Sequence, residues 1–263
     1  MIITAGLQLA IFGFTGLLIY LGIFYGVPRL AKAGTPLLYA FFGCLWLPVL
    51  LLPPLALYLF YLEGGVLTVT AVAARFRLTP IPTSSWPWII VAVIATAVFD
   101  QLFEPVGKFF ARMKAFAPPD YLPAPFNPLK NMPMPPCEFF GVALCGNWKL
   151  LLTFAPLHLL AMLSEELMWR GYLLPQQEAL FGQWAWVVNG LLWAWLVHAV
   201  LKWHLIGMVP GMLLTPLIAQ ITQSTWAALI VHAAPNALLW LLLLWGILQK
   251  PDREDTAGDQ ALE

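Results

Sequence analysis

Three charged residues lie within an apolar stretch of this sequence, where charges are unexpected. Glu165, Glu166 and Arg170 fall between Lys149 and Tyr172, in a segment that otherwise has the composition of a membrane-spanning helix. On insertion scales, each charge inside a membrane costs roughly 2.5–3.5 kcal/mol, so three together require a specific reason. Two adjacent carboxylates offer a proton acceptor, and the guanidinium offers the opposite charge.

The spacing of these residues separates the roles of the two carboxylates. Glu166 and Arg170 are four residues apart, so on a helix they share a face and can form an ion pair. That pairing does not account for Glu165, which lies about 100° further around the helix. An unpaired carboxylate away from bulk water suits a general base. The pattern therefore favours a catalytic role over a purely structural salt bridge.

Two histidines and an asparagine could complete such a site. His198 is expected deep in a fifth apolar span, and His232 is about a third of the way into the last one. Asn236 follows His232 by four residues, so the two share a helix face. Pro235 cannot donate a hydrogen bond to the carbonyl of Val231, and we expect it to kink the helix there.

The remaining candidates are interpreted as structural. His158, two turns before Glu165, is expected to pack or hydrogen-bond, and His204 is expected at the membrane edge. Ser164 adjoins Glu165, but consecutive helical side chains point about 100° apart, so a serine nucleophile paired with that base is not indicated. Cys137 and Cys145 flank a short segment and could pair in an oxidising space, a question that the sequence leaves open.

Composition defines the class of protein that must hold these residues. Of 263 residues, 61% are hydrophobic and only 10% are charged. An average soluble domain carries about 25% charged residues, and the mean hydropathy here is +0.80. These values exclude a water-soluble enzyme, a nucleic-acid-binding protein and a disordered chain. The net charge of zero gives no reason to expect a nucleic-acid partner, and the sequence predicts an all-α integral membrane protein whose partner is the lipid bilayer.

The gaps between charges predict about seven transmembrane helices, with six to eight possible. Helices of about 20 apolar residues are needed to cross a bilayer. The sequence divides into N-terminal spans 1–3 (1–104), a Pro-rich loop (105–147), a polar membrane core (148–249) and an acidic tail expected to be disordered (250–263). The first five predicted spans lie within 1–28, 34–62, 78–99, 149–172 and 179–201, of which only 149–172 contains the charged triad. The last two lie between Lys202 and Lys250, with a turn near 220–224.

Two connecting segments have distinctive sequences. Residues 105–147 contain nine prolines in 43 positions, which predicts a short amphipathic helix followed by an extended loop. This loop could cover an active site or simply connect two spans. Residues 64–78 end in Arg75 and Arg77, and they are expected to form a short interfacial helix or a re-entrant piece.

The distribution of basic residues predicts the orientation in the membrane. With seven spans and the N-terminus outside, ten Lys and Arg residues fall on the inner side and two on the outer side. Basic residues are enriched on the cytoplasmic side of membrane proteins. We therefore expect an N-out, C-in arrangement in a bacterial-type inner or plasma membrane.

Taken together, these motifs carry a family resemblance. Glu-Glu-x-x-x-Arg at 165–170, a histidine at 198 and His-x-x-x-Asn at 232–236 resemble the CAAX protease and bacteriocin-processing family of intramembrane proteases, also called the Abi family. The stretch from Ser224 to Asn236 resembles the last motif of that family closely, and the resemblance covers roughly residues 148–245. One departure is Ala194, where the family usually has an aromatic residue, although tryptophans flank it.

The resemblance implies a role for each site residue. It implies that Glu165 is a general base that activates water with help from His198. His232 and Asn236 look like an oxyanion hole, and Glu166 with Arg170 would orient the site. The implied activity is a glutamate-type intramembrane endopeptidase that needs no cofactor and acts on a membrane protein or peptide.

Two alternatives remain at this point. The same residue types, Glu165, His198 and His232, are legitimate zinc ligands, although Arg170 nearby would repel a cation. The second alternative is a non-catalytic transporter or a membrane scaffold that binds a peptide, because intramembrane carboxylates and histidines also form proton relays. The sequence specifies neither the substrate nor the oligomeric state.

Overall fold

The computed structural model describes residues 4–249. The predicted acidic tail, 250–263, lies outside the described residues. The N-terminal half consists of helices followed by the Pro-rich loop, which includes a hairpin of two two-residue strands. Its elements are α1 (Ala5–Leu21), a π-helical segment (Gly22–Gly26), α2 (Val27–Lys32), α3 (Leu37–Leu50), α4 (Leu52–Leu62), α5 (Val69–Arg75), α6 (Trp86–Ala111), β1 (Glu138–Phe139) and β2 (Val142–Ala143).

The C-terminal half contains the predicted polar core. Its elements are α7 (Trp148–Glu166), a π-helical segment (Leu167–Leu173), α8 (Leu174–Phe181), α9 (Ala185–Trp195), a 3-10 segment (Val197–His204), α10 (Val209–Thr222) and α11 (Thr225–Ile247). Three further 3-10 turns cover Thr83–Ser85, Ala124–Phe126 and Gly182–Trp184.

Five helical stretches are long enough and apolar enough to cross a membrane. They are Ala5–Lys32, Leu37–Leu62, Thr83–Ala111, Trp148–Trp195 and Thr225–Ile247, and Val209–Thr222 is a shorter apolar helix. The fourth stretch contains a turn at Gly182, whose φ of 55° favours glycine, and α8 and α9 pack together on either side of that turn. The predicted all-α polytopic membrane fold is confirmed.

The loops contact one another in two groups, at opposite ends of the helices. In the first group, Thr225 N–H donates to the carbonyl of Arg77 over 2.9 Å, and the Arg77 guanidinium contacts Glu178 at 2.8 Å. In the second group, Gly146 N–H donates to the carbonyl of Ile247 over 3.0 Å. The hydroxyl of Tyr121 in the Pro-rich loop donates to the carbonyl of Ile23. The two groups contain the two ends of α11, Thr225 and Ile247.

Two helix ends differ from the sequence prediction. The third span does not stop at Asp100, because α6 continues to Ala111 and includes the region predicted as a separate amphipathic helix. Glu104 and Lys108 form an i,i+4 ion pair at 2.5 Å that supports this extension.

The fifth span ends at Trp195, before His198, which was expected deep inside it. His198 instead lies in the 3-10 segment, with φ −93° and ψ 17°. A Cβ on Gly16 would lie 1.9 Å from the carbonyl oxygen of Leu196, so α1 packs directly against the backbone at this bend.

The cysteines flanking the hairpin are free thiols. Cys137 and Cys145 are both exposed, and β1 and β2 pair antiparallel between them. Cys145 Sγ lies 3.1 Å from the carbonyl of Gln249, so this thiol faces the end of the last helix.

Candidate active site

The backbone changes its helical type immediately after the two glutamates. α7 ends at Glu166, and the next seven residues, Leu167–Leu173, are π-helical and include Arg170. Single π-helical turns inside α-helices are rare and occur often at functional sites. The predicted ion pair is nevertheless present, with Arg170 Nη1 2.9 Å from Glu166 Oε1 and both side chains fully buried.

The carboxylate of Glu166 also connects α7 to the last helix. Its Oε1 lies 2.9 Å from His232 Nδ1, so one oxygen accepts from both Arg170 and His232. Because an ionised carboxylate can only accept, the proton of this contact belongs to Nδ1 of the imidazole. The other ring nitrogen, Nε2, is then the one available to a substrate.

Trp193 is a central residue of the site that the sequence analysis did not include. Its indole N–H donates to Glu165 Oε2 over 2.9 Å. Its ring face lies 3.8 Å from the guanidinium carbon of Arg170, within cation–π range. Its ring centroid is 5.1 Å from that of His198 and 4.9 Å from that of His232. The signal was present in the sequence, since Trp193 flanks Ala194, the position where the family usually has an aromatic residue.

His198 is held by the backbone of the same tryptophan. Its Nδ1 lies 3.2 Å from the carbonyl oxygen of Trp193. A carbonyl oxygen accepts only, so this contact assigns the proton to Nδ1 and leaves Nε2 as an acceptor in the neutral ring. The bend after α9 makes this contact possible, because the chain turns back towards the end of the helix within five residues.

Asn236 makes a local bond that its spacing did not predict. Its Nδ2 donates to the carbonyl of His232, on its own helix, over 2.9 Å. An amide nitrogen carries two hydrogens, so one of them remains for another acceptor. Helix α11 runs through Pro235 without interruption.

A cavity of about 260 Å³ brings four of the six predicted residues together. Glu165, His198, His232 and Asn236 line it, whereas Glu166 and Arg170 are fully buried and are not part of its wall. Leu122 and Phe126 of the Pro-rich loop also line the cavity, so this loop covers one end of it. Most of the remaining wall is apolar.

His158 and Ser164, which were interpreted as structural, both have hydrogen-bond partners. His158 Nδ1 accepts from the indole N–H of Trp240 over 3.1 Å, and its ring stacks on Trp46 at a centroid distance of 5.8 Å. Ser164 is buried and donates to the carbonyl of Leu160 over 2.8 Å. Its hydroxyl is therefore directed along the helix and not towards Glu165.

Zinc coordination by Glu165, His198 and His232 was one alternative from the sequence. Within residues 4–249, no three His, Cys, Asp or Glu side chains form a group that could hold a metal ion. Glu165, His198 and His232 surround the cavity, with Trp193 between them. Metal independence of the activity remains a prediction.

One family model matches the part of the chain that contains these site residues. Residues 147–238 match the family model described as Type II CAAX prenyl endopeptidase Rce1-like. The matched segment begins at the N-cap of α7, ends just after Asn236 and includes all six predicted site residues. No curated protein and no solved structure matches the chain. The match confirms the resemblance to the CAAX protease family, and it indicates a CAAX-type membrane protease.

Proposed function

We propose that this protein is an intramembrane endopeptidase that hydrolyses a peptide bond with a glutamate-activated water molecule. The observation that carries the proposal is the position of Glu165. It is a buried carboxylate on the wall of a largely apolar cavity that is also lined by two histidines from other segments. Amide hydrolysis requires a base, a positioned water and donors aimed at the developing oxyanion, and these residue types supply all three.

Glu165 is the proposed base. The indole of Trp193 occupies Oε2, which leaves Oε1 to take the proton from a water molecule in the cavity. His198 would accept the second hydrogen of that water at Nε2 and so hold it in place. The water oxygen attacks the carbonyl carbon of the substrate, and Glu165 can later deliver the proton to the leaving amine.

His232 and Asn236 are the proposed oxyanion donors. His232 is fixed through Nδ1 by Glu166, so Nε2, when protonated, can donate to the oxyanion. Asn236 can donate its second amide hydrogen. Glu166 and Arg170 lie behind this wall, and we assign them the task of orienting His232 and Trp193.

The proposed substrate is a membrane-associated protein or peptide. The description of the matching family names prenyl endopeptidases, and the apolar cavity wall would suit a lipid-linked peptide. We therefore propose a prenylated peptide as the first substrate class to test. The N-out, C-in orientation would open the loop-covered end of the cavity to the cytoplasmic side.

The test compares the normal protein with Glu165→Gln. Glutamine keeps the shape of the side chain and removes the base, so the turnover number should fall roughly 10²–10⁴-fold, while the protein still inserts and accumulates. Whole-cell peptidomics would reveal the substrate, and purified proteins would give the rate. Glu104→Gln is the matched control, since Glu104 pairs with Lys108 away from the cavity wall. Normal turnover by Glu165→Gln would refute the proposed base. Absence of turnover by the normal protein would instead leave the transporter or scaffold alternative.

A further inference from the structure

Asp100 is a second carboxylate on the wall of the catalytic cavity. Among the described residues that line this cavity, Glu165 and Asp100 are the only Asp, Glu, Lys or Arg side chains. The cavity wall therefore carries acidic groups and no cationic side chain from lysine or arginine. The three histidines on the wall, His158, His198 and His232, belong to segments other than α6. The part of the wall that Asp100 forms therefore favours a cationic group.

The position of Asp100 within α6 directs it towards the cavity. Thr96, one helical turn earlier, lines the same wall. Both side chains face Gly211 of α10: a Cβ built on that glycine would lie 3.0 Å from Thr96 Cγ2 and 4.0 Å from Asp100 Oδ1. The absence of a side chain at Gly211 thus allows α6 to approach α10 closely and leaves room beside the carboxylate.

Asp100 also marks where the cavity opens. It is the only exposed residue among the described residues that line the cavity, since the others are buried or partly buried. Within residues 4–249, Asp100 forms no ion pair and no hydrogen bond, whereas Glu104, one turn later, is paired with Lys108. An unpaired ionisable group in a membrane helix is costly and usually functional.

We propose that Asp100 is a specificity-determining residue that binds a lysine or arginine side chain of the substrate close to the bond that is cut. The inference rests on the proposed protease function, because Asp100 would position the substrate relative to the proposed base, Glu165. In a partly shielded mouth, the carboxylate and the cation attract each other more strongly than in water. A glutamate at the same substrate position would be repelled, so Asp100 selects by both attraction and repulsion.

The test uses three internally quenched peptide libraries on a common prenylated cysteine anchor. The libraries share randomised apolar positions and differ in one fixed residue, which is lysine, methionine or glutamate. That residue is scanned over three positions on either side of the cysteine. Cleavage is measured in proteoliposomes for the normal protein, Asp100→Asn, Asp100→Lys and the control Glu104→Gln.

The expected result is an inversion of charge preference. The normal protein and Glu104→Gln should cleave the best lysine library at least five-fold faster, in kcat/KM, than the matching glutamate library. Asp100→Asn should lose that preference, and Asp100→Lys should prefer glutamate. The preference should weaken with added salt, because the mouth is exposed. An unchanged preference in Asp100→Lys would overturn the proposal, as would a loss of rate that is equal for all libraries.

Binding separates this inference from the protease function itself. Affinity of the same libraries is measured on Glu165→Gln, alone and combined with Asp100→Lys. An inverted binding preference without cleavage by the normal protein would reject the protease function and retain Asp100 as a binding residue. Cleavage by the normal protein without any effect of Asp100 on binding or rate would reject Asp100 and retain the protease.

Discussion

Trp193 donates its indole N–H to Glu165 Oε2 over 2.9 Å, from the end of α9 to the end of α7. The two residues are 28 positions apart in the chain. This hydrogen bond fixes one oxygen of the proposed base and thereby sets the direction in which the other points. The same indole also stacks on Arg170, so it connects the catalytic wall to the ion pair behind it.

The first prediction concerns Trp193→Phe. Phenylalanine keeps an aromatic ring against Arg170 and the two histidines but cannot donate to Glu165. A hydrogen bond to a charged group is worth about 1.5–3 kcal/mol, so we expect the turnover number to fall roughly 10–100-fold. The change in KM should be small, and the protein should still accumulate. Enzyme kinetics and melting temperature in detergent measure these quantities.

Trp195→Phe is the matched control for this change. Trp195 lies two residues later, is exposed, and donates its indole N–H to the carbonyl of Leu205 over 3.1 Å. The same substitution there should leave turnover close to normal. Equal losses at Trp193 and Trp195 would show that the rate responds to general disturbance of the α9 bend and not to the bond with Glu165.

The spacing of residues along a helix predicted part of this site from the sequence. The pair Glu166 and Arg170 follows from helical spacing alone, and it survives the switch to π-helical backbone. The contact between Glu166 and His232 joins residues 66 positions apart. Such a contact depends on how α7 and α11 cross. The spacing of residues within one helix gives no information about that crossing.

The bend after α9 was not predictable from the charge gap used to place the fifth span. Gaps between charges locate the ends of apolar stretches, and Lys202 marks the end of this one. The helix stops earlier, at Trp195, and α1 packs through Gly16 against the backbone at Leu196, where the bend begins. The charge gap contains no information about such a tertiary contact.

The second prediction is metal independence. The proposed site supplies a base and oxyanion donors, so extensive chelation in detergent should leave the hydrolysis rate within about two-fold of the untreated protein. The bound zinc content, measured by mass spectrometry, should remain well below one ion per chain. Activity that disappears on chelation and returns with one equivalent of zinc would establish the metal alternative.

The third prediction separates His232 from Asn236. Removing one oxyanion donor typically costs about 10²–10³ in turnover, so His232→Ala and Asn236→Ala should both lower kcat more than they raise KM. His232→Ala should also lower the melting temperature, because it leaves the buried Glu166 without one of its two partners. Asn236→Ala loses only a bond within its own helix and should melt close to normal. Losses confined to KM would instead assign both residues to substrate binding.

The fourth prediction tests which glutamate supports Arg170. Removing one partner of a buried ion pair typically costs 3–5 kcal/mol, because it leaves an uncompensated charge. Arg170→Met should therefore lower accumulation and melting temperature. The double change with Glu166→Gln leaves no stranded charge at this pair, so stability should largely return. Glu165→Gln should not rescue Arg170→Met in this way, because Glu165 is bonded to Trp193 and not to the guanidinium.

The measurement is a double-mutant cycle on melting temperature for both pairs. Glu166 also accepts a hydrogen bond from His232, so Arg170 is not its only partner. His232→Ala serves as a third arm, because its coupling to Glu166→Gln measures how much of the stability of Glu166 comes from His232. Strong coupling between Glu165 and Arg170, with none between Glu166 and Arg170, would exchange the roles of the two carboxylates. Glu166 would then have to be the base, and its fully buried position behind the cavity wall would have to open during the reaction.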